Sequence, residues 1–303
     1  MLKNVVSLFL LLPTFLLTHS QKFSTGLKLA SPKEMAGIPM ASLPLSDMEL
    51  PDSIDLSEKM PPAGCQGKQL SCVAWSVAYA VKSYQEKIEE GNSYVKNETI
   101  NPEAVFSPSF IYNQINKGED NGSMFIDALN LVSQQGVPKF SVMPYNEDDY
   151  LTKPERWQSE QAKNYKIDYW RQVNIRDVKE VKAQLYAGHP VMIGILVDNE
   201  FYREGFKNYN DSLYIWETKK GSNTTAHAMV IVGYDDKNQM FKVLNSWGTR
   251  WGNNGYVWIK YDLFLEQARE GFVARDAFNK YEFIGPQSEQ EKKSTEFLVD
   301  DIV

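Results

Sequence analysis

The hydrophobic pattern of this chain changes period halfway along, and that change constrains the fold more than any other feature. Over residues 71–90 the apolar side chains Val73, Val77, Val81 and Tyr84 recur along one side of a helix. Ser71 is placed to cap its start and Gly91 to end it. Residues 108–116 and 124–135 read as two further helices, the second closed by Gly136. Beyond residue 190 the apolar runs become strand-like, over 190–198, 227–234, 240–245 and 255–261. Asp235-Asp236-Lys237-Asn238 makes a hairpin turn between two of them. A helical front and a sheet-rich back predict an α+β fold of two lobes, with a cleft between them.

The chain has 303 residues, 43% of them hydrophobic, which supplies a sizeable core and excludes a disordered protein. With only two cysteines it is no disulfide scaffold, so packing carries its stability. Net charge is −7 and no basic stripe is present, which argues against nucleic acid as a partner. At the start, Lys3 precedes an apolar stretch over 5–17, and Thr18-His19-Ser20 offers a cleavage site before Gln21. Residues 1–20 therefore read as a signal peptide, and the protein as exported, periplasmic or secreted. No second apolar run is long enough to span a bilayer, so no stable membrane span is expected after signal removal. Residues 21–49, rich in Ser, Pro, Lys and Met, read as a linker or short pro-segment, and 283–303 as a polar tail.

Four residues stand out chemically. Cys72 opens the first helix, where free N–H groups and the helix dipole favour a thiolate. Gln66, six positions upstream and followed by Gly67, can aim an amide at an acyl oxygen. His227 opens an apolar strand. His19 lies in the leader and His189 in a turn, so His227 is the favoured base. Asn245 suits a neutral orienter of that histidine, and Trp247 can shield the bond between them. The set matches thiol-based acyl transfer, which needs no metal or organic cofactor. Each residue alone has a plainer reading: a buried structural cysteine, a loop glutamine, a satisfied histidine, a packed tryptophan. The acidic run Asn146-Glu147-Asp148-Asp149 reads as a solvated loop.

Gln66 with Ser71-Cys72, His227-Ala228, and Asn245-Ser246-Trp247-Gly248-Thr249-Arg250-Trp251-Gly252-Asn253-Asn254-Gly255-Tyr256 together resemble the papain family of cysteine peptidases. The resemblance implies a papain-like fold: a helical left lobe over 50–165 and a β-barrel-like right lobe over 166–282. It makes Cys72 the nucleophile, His227 the base, Asn245 its orienter and Gln66 the oxyanion donor. It also implies an acyl-enzyme route to peptide hydrolysis, a peptide or protein substrate, and a monomer. Asn121-Gly122-Ser123-Met124-Phe125 resembles the family's Asn-Gly-Gly cleft wall, with Ser123 in place of the second glycine. Ser123, Met124, Phe125, Ala226 and Trp247 are then substrate-binding residues. Met124, Phe125 and Ala226 imply an apolar preference two positions before the scissile bond. The family's disulfide cysteine is absent from Gln69-Leu70-Ser71-Cys72-Val73, and this points to a bacterial exported member. The stretch 21–49 is too short for the long helical prodomain of many relatives, so it is expected not to restrain the site; the competing expectation is that it threads the cleft as an extended peptide. The alternatives are a Cys-His acyltransferase or amidase acting on cell-wall peptides, and a catalytically silent peptide-binding protein.

Overall fold

In this computed structural model the described residues are 24–41, 49–207, 213–221 and 224–276. The leader read over 1–20 and the tail over 283–303 lie outside them. Residues 72–90 form one continuous helix, α1, in three consecutive stretches: Cys72–Ala74, Trp75–Lys82 with the wider π spacing, and Ser83–Glu90. It ends at Gly91, whose φ of 69° is the left-handed conformation that glycine adopts without penalty. Every residue from 71 to 86 is buried, so α1 has no solvent side until its last turn. The sequence periodicity marked only the side that joins the main core, through Val73, Val77, Val81 and Tyr84. Trp75 and Tyr79 pack on the other side with Tyr94, Ala104 and Val105. Burial there includes Lys82, which is held by Glu86 at 2.7 Å and by Asp276. Ser71 does not cap α1 through its side chain; its hydroxyl pairs with the Tyr145 hydroxyl at 2.8 Å instead.

Two helices complete this side of the molecule. Helix α2 (Pro108–Ile115) starts at Ser107, whose hydroxyl accepts from the Phe110 N–H. Helix α3 (Phe125–Gln135) ends at Gly136, φ 82°. Both lie where the hydrophobic period places them.

The second half is one sheet of eight strands among the described residues: β1 (Ser53–Asp55), β2 (Tyr169–Gln172), β3 (Val191–Asp198), β4 (Ile215–Trp216), β5 (Thr224–Asp235), β6 (Met240–Leu244), β7 (Tyr256–Lys260) and β8 (Ala268–Arg275). Their order is β2-β8-β3-β5-β6-β7-β4, with β1 also paired to β5. Only the β4–β7 pair is parallel. The sheet does not close, because β2 and the two-residue β4 stand at opposite ends of this path; the barrel-like lobe is an open sheet. Helix α4 (Val178–Tyr186) and α1 both pack on β5, so residues 227–234 are buried without alternation. That continuous run is why the sequence shows an apolar strand there. Asp235 holds the β5–β6 turn by accepting the Asn238 N–H at 3.1 Å. No helix among the described residues is long and apolar enough to cross a membrane.

Candidate active site

Cys72 lies at the first residue of α1 and His227 on β5, and α1 packs directly on that strand. The Cys72 sulfur takes backbone N–H groups from Ala228, Val73 and its own residue. On the far side of His227, Nε2 lies 2.8 Å from Asn245 Oδ1. That oxygen can only accept, and it also takes the Ser246 N–H at 2.7 Å. The ring nitrogen facing it must therefore carry the hydrogen, which leaves Nδ1 as the bare base. Nδ1 is buried and has no hydrogen-bond partner. Trp247 stacks on the imidazole, centroids 4.6 Å apart and planes at 21°, and screens the bond to Asn245 from water.

Gln66 reaches the site through loop pairing. The Gln66 N–H donates to Ser246 O at 2.9 Å, and the Gly248 N–H to Gly64 O at 2.8 Å. The Ser246 hydroxyl donates to Gln66 Oε1 at 2.6 Å. This fixes which way the amide points, so Nε2 is the group left to donate. Tyr145 braces the same loop by donating to Gln66 O at 2.8 Å. Glu147, from the acidic run, accepts the Lys68 N–H at 2.6 Å, and Asp148 pairs with Lys68. The run read as a solvated loop thus supports the Gln66 turn. Ser246 and Tyr145 escape sequence reasoning, because their partners lie 180 and 79 residues away.

The site is covered by the chain's own N-terminal segment, the alternative to an unrestrained site. Residues 24–30 run through it in extended form. Ser24 O accepts from Trp247 Nε1 at 3.0 Å, and Thr25 O accepts from Gln66 Nε2 at 3.1 Å. Ser123 N–H donates to Gly26 O, and Lys28 N–H to Ser123 O, each at 2.9 Å. A Cβ on Gly122 would lie 2.1 Å from Gly26 O, so only glycine admits the segment here. The Leu27 N–H faces the Cys72 sulfur. The group offered to the nucleophile is therefore a donor and not a carbonyl carbon. Further on, Ala41 N–H donates to Gln172 O at 2.7 Å, and Gln172 Nε2 to Ile38 O at 2.8 Å, which ties the segment to β2. The expectation that this stretch leaves the site unrestrained gives way to a segment seated on it.

Covering the site changes its ionisation. Burial pushes the Cys72 thiol up to about 12, against four backbone N–H groups that favour the anion. Burial lowers His227 to about 4, against the bond to Asn245. The covered pair is thiol and neutral imidazole, not the ion pair expected from a helix N-terminus. Desolvation by burial outweighs the N–H groups that favour the anion.

Of the other expected site residues, Ser123 pairs with the segment through its backbone. Met124 is half-buried just before α3, and Ala226 is half-buried on β5. Phe125 is 1% exposed and packs on Phe272, centroids 5.5 Å apart, in the core. His189 is half-buried at a different place, before β3, with its N–H on Gln184 O. Cys65 is exposed, and both cysteines are free. A cavity of about 1030 Å³ abuts Cys65 and Trp247 and is lined with Trp75, Tyr79, Tyr202 and Phe206. No cluster of His, Cys, Asp and Glu suited to a metal ion occurs among the described residues.

A family profile described as papain family cysteine protease matches residues 50–269. Papain of Carica papaya is 28% identical over 216 residues, 71% of this chain and 56% of that protein. Cathepsin J of Mus musculus is 27% identical over 230 residues, 70% of this chain and 61% of that protein. The chain thus spans less than two thirds of these curated relatives. Among solved structures, xylellain, a cysteine protease from Xylella fastidiosa, superposes with a TM-score of 0.67. It is 25% identical, and the match covers 84% of this chain and 96% of that one. A site built from a helix-capping cysteine, an Asn-held histidine and a Ser-held glutamine agrees with these matches: the chain belongs to the papain family of cysteine proteases.

Proposed function

We propose that this protein is an exported cysteine peptidase that hydrolyses peptide bonds through Cys72. The observation that carries the reading is the His227–Asn245 bond of 2.8 Å, which leaves Nδ1 unprotonated and without a partner. When the segment withdraws, water returns and the imidazole takes the thiol proton, giving thiolate and imidazolium. The sulfur adds to the substrate carbonyl carbon. Gln66 Nε2 and the Cys72 N–H hold the resulting oxyanion. The imidazolium gives its proton to the leaving amine as the C–N bond breaks, which leaves a thioester. His227 then takes a proton from water, hydroxide adds to the thioester, and the acid departs as the thiol is regenerated.

The segment marks the substrate path: backbone on Ser123, a carbonyl on Gln66 Nε2, and a side chain where Leu27 sits. Trp247, Met124 and Ala226 border that path. The leader pattern over 1–20 supports export to the periplasm or medium. A fluorogenic peptide assay of the full chain tests the reading. We expect Cys72→Ala and His227→Ala each to lower kcat/KM by about a thousandfold or more, with thermal melting retained. His189→Ala keeps most of the activity. Hydrolysis that survives in Cys72→Ala, or that depends on His189, refutes it. Labelling of Cys72 by an electrophilic peptide with no turnover identifies a binding protein instead.

A further inference from the structure

At the β2 edge of the sheet two arginines share one face. Arg171 on β2 stands opposite Val273 on β8, and Tyr169 stands opposite Arg275. Residues paired across strands point to the same side, as do residues two apart along a strand. Arg171 and Arg275 are therefore diagonal neighbours on that side, about 7–8 Å apart. The Arg171 guanidinium lies over the Tyr169 ring, 4.6 Å from its centroid, and Arg275 Nη1 donates to the Tyr169 hydroxyl at 3.2 Å. A cavity of about 400 Å³ opens beside them, with Gln184 of α4 and His189 on other walls and Met40 and Val273 as apolar surface. No acidic side chain among the described residues lines it. Gln184 is 2% exposed, yet its Nε2 has no acceptor. A buried amide N–H without an acceptor is unfavourable, so its place in this wall calls for an oxygen from a ligand. Burial lowers the His189 imidazole to about 4, and Arg275 adds to the fall. At neutral pH the fixed charge of the pocket is thus that of two guanidinium groups.

Two cations with no carboxylate in the wall, and an amide donor from a third direction, suit an oxyanion. A carboxylate is planar and carries one charge on two oxygens. A phosphomonoester carries close to two charges on three terminal oxygens, one for each donor. The cavity has room for roughly a dozen waters, more than a bare phosphate fills. We propose that this pocket binds the phosphate group of a small phosphomonoester. Arg171 and Arg275 meet its charge, Gln184 Nε2 meets its innermost oxygen, and the organic part lies along Met40 and Val273. The site stands apart from the peptidase cleft. The row that holds His227 on β5 crosses Ile195 on β3 and Ala268 on β8. Ala268 and Arg275 are the two ends of that eight-residue strand, about 20 Å apart.

Isothermal titration calorimetry on the full-length chain tests the site, with phenyl phosphate, phenyl sulfate and inorganic phosphate as probes. Phenyl sulfate keeps the ring and has a single charge; inorganic phosphate keeps the charge and lacks the ring. We expect phenyl phosphate to bind saturably, about tenfold or more tighter than either of the others. Arg171→Met, which removes one guanidinium, weakens phenyl phosphate by about tenfold or more. Gln184→Leu, which removes the unpaired donor at similar volume, weakens it by about fivefold or more. No saturable binding of phenyl phosphate overturns the proposal. So does binding that Arg171→Met or Gln184→Leu leaves within about twofold, because the anion then sits elsewhere. Inorganic phosphate bound as tightly as phenyl phosphate overturns the ester assignment, and phenyl sulfate bound as tightly overturns the match of two charges. None of these readings depends on peptide hydrolysis, so the pocket stands or falls apart from the peptidase reading.

Discussion

Ser246 shows how much of this site depends on a single hydroxyl. It donates to Gln66 Oε1 at 2.6 Å, and without it the amide orientation rests on the Nε2 bond to Gln69 O, 2.9 Å, and on Thr25 O. We expect Ser246→Ala to lower kcat/KM on peptides by about tenfold, the worth of a partly lost oxyanion donor. Alkylation of Cys72 by a small haloacetamide, which builds no oxyanion, stays unchanged. Equal loss in both assays contradicts this role. The candidate catalytic residues were legible because each carries a local mark: a cysteine opening an apolar helix, a histidine near the start of an apolar strand, an asparagine beside Ser-Trp-Gly. Ser246 itself lies in that last run, yet nothing local says that its partner is Gln66. The pocket of Arg171 and Arg275 was illegible for a related reason: the two lie far apart in the chain and share a face only through the β2–β8 pairing.

At the scale of elements, α1 carries Cys72, β5 carries His227, and the two pack on each other. Their contact requires α1 to be buried on every side up to Glu86, and Lys82 is the consequence. Its ammonium is enclosed with Glu86 and Asp276, so removing the charge strands two carboxylates in the interior. We expect Lys82→Met to destabilise the protein by about 3–5 kcal/mol in denaturant titration. Lys82→Met combined with Glu86→Gln recovers part of that loss. A single variant as stable as wild type shows the cluster to be neutral in the balance. The helical and strand periods of the sequence placed α1, α2, α3, β3, β5, β6 and β7. They missed β1, β2, β4 and β8, short or irregular strands defined by pairing, and α4.

For the molecule as a whole, the decisive feature is the chain crossing its own cleft. Residues 24–30 hold the Gln66 amide and cover the Cys72 sulfur, and 35–41 tie the segment to β2. A thiol pushed up to about 12 is fully protonated at pH 7 and reacts slowly there. We expect Leu27→Asp, which sets a carboxylate against the buried Glu270 carboxyl, to release the segment. Peptide hydrolysis and Cys72 alkylation at pH 7 then both rise, by about tenfold or more, as the open fraction grows. Unchanged rates show that the segment already dissociates freely. The sequence by itself determined the helical and sheet-rich halves and the papain-type constellation with its four candidate residues, because helical period, strand runs and motif spacing are local properties. Only the tertiary structure decided that the sheet stays open, that Ser246 sets Gln66, that Arg171 and Arg275 share a pocket and that the pair rests uncharged. These depend on contacts between residues far apart in the chain and on the exclusion of water, and no local pattern encodes either.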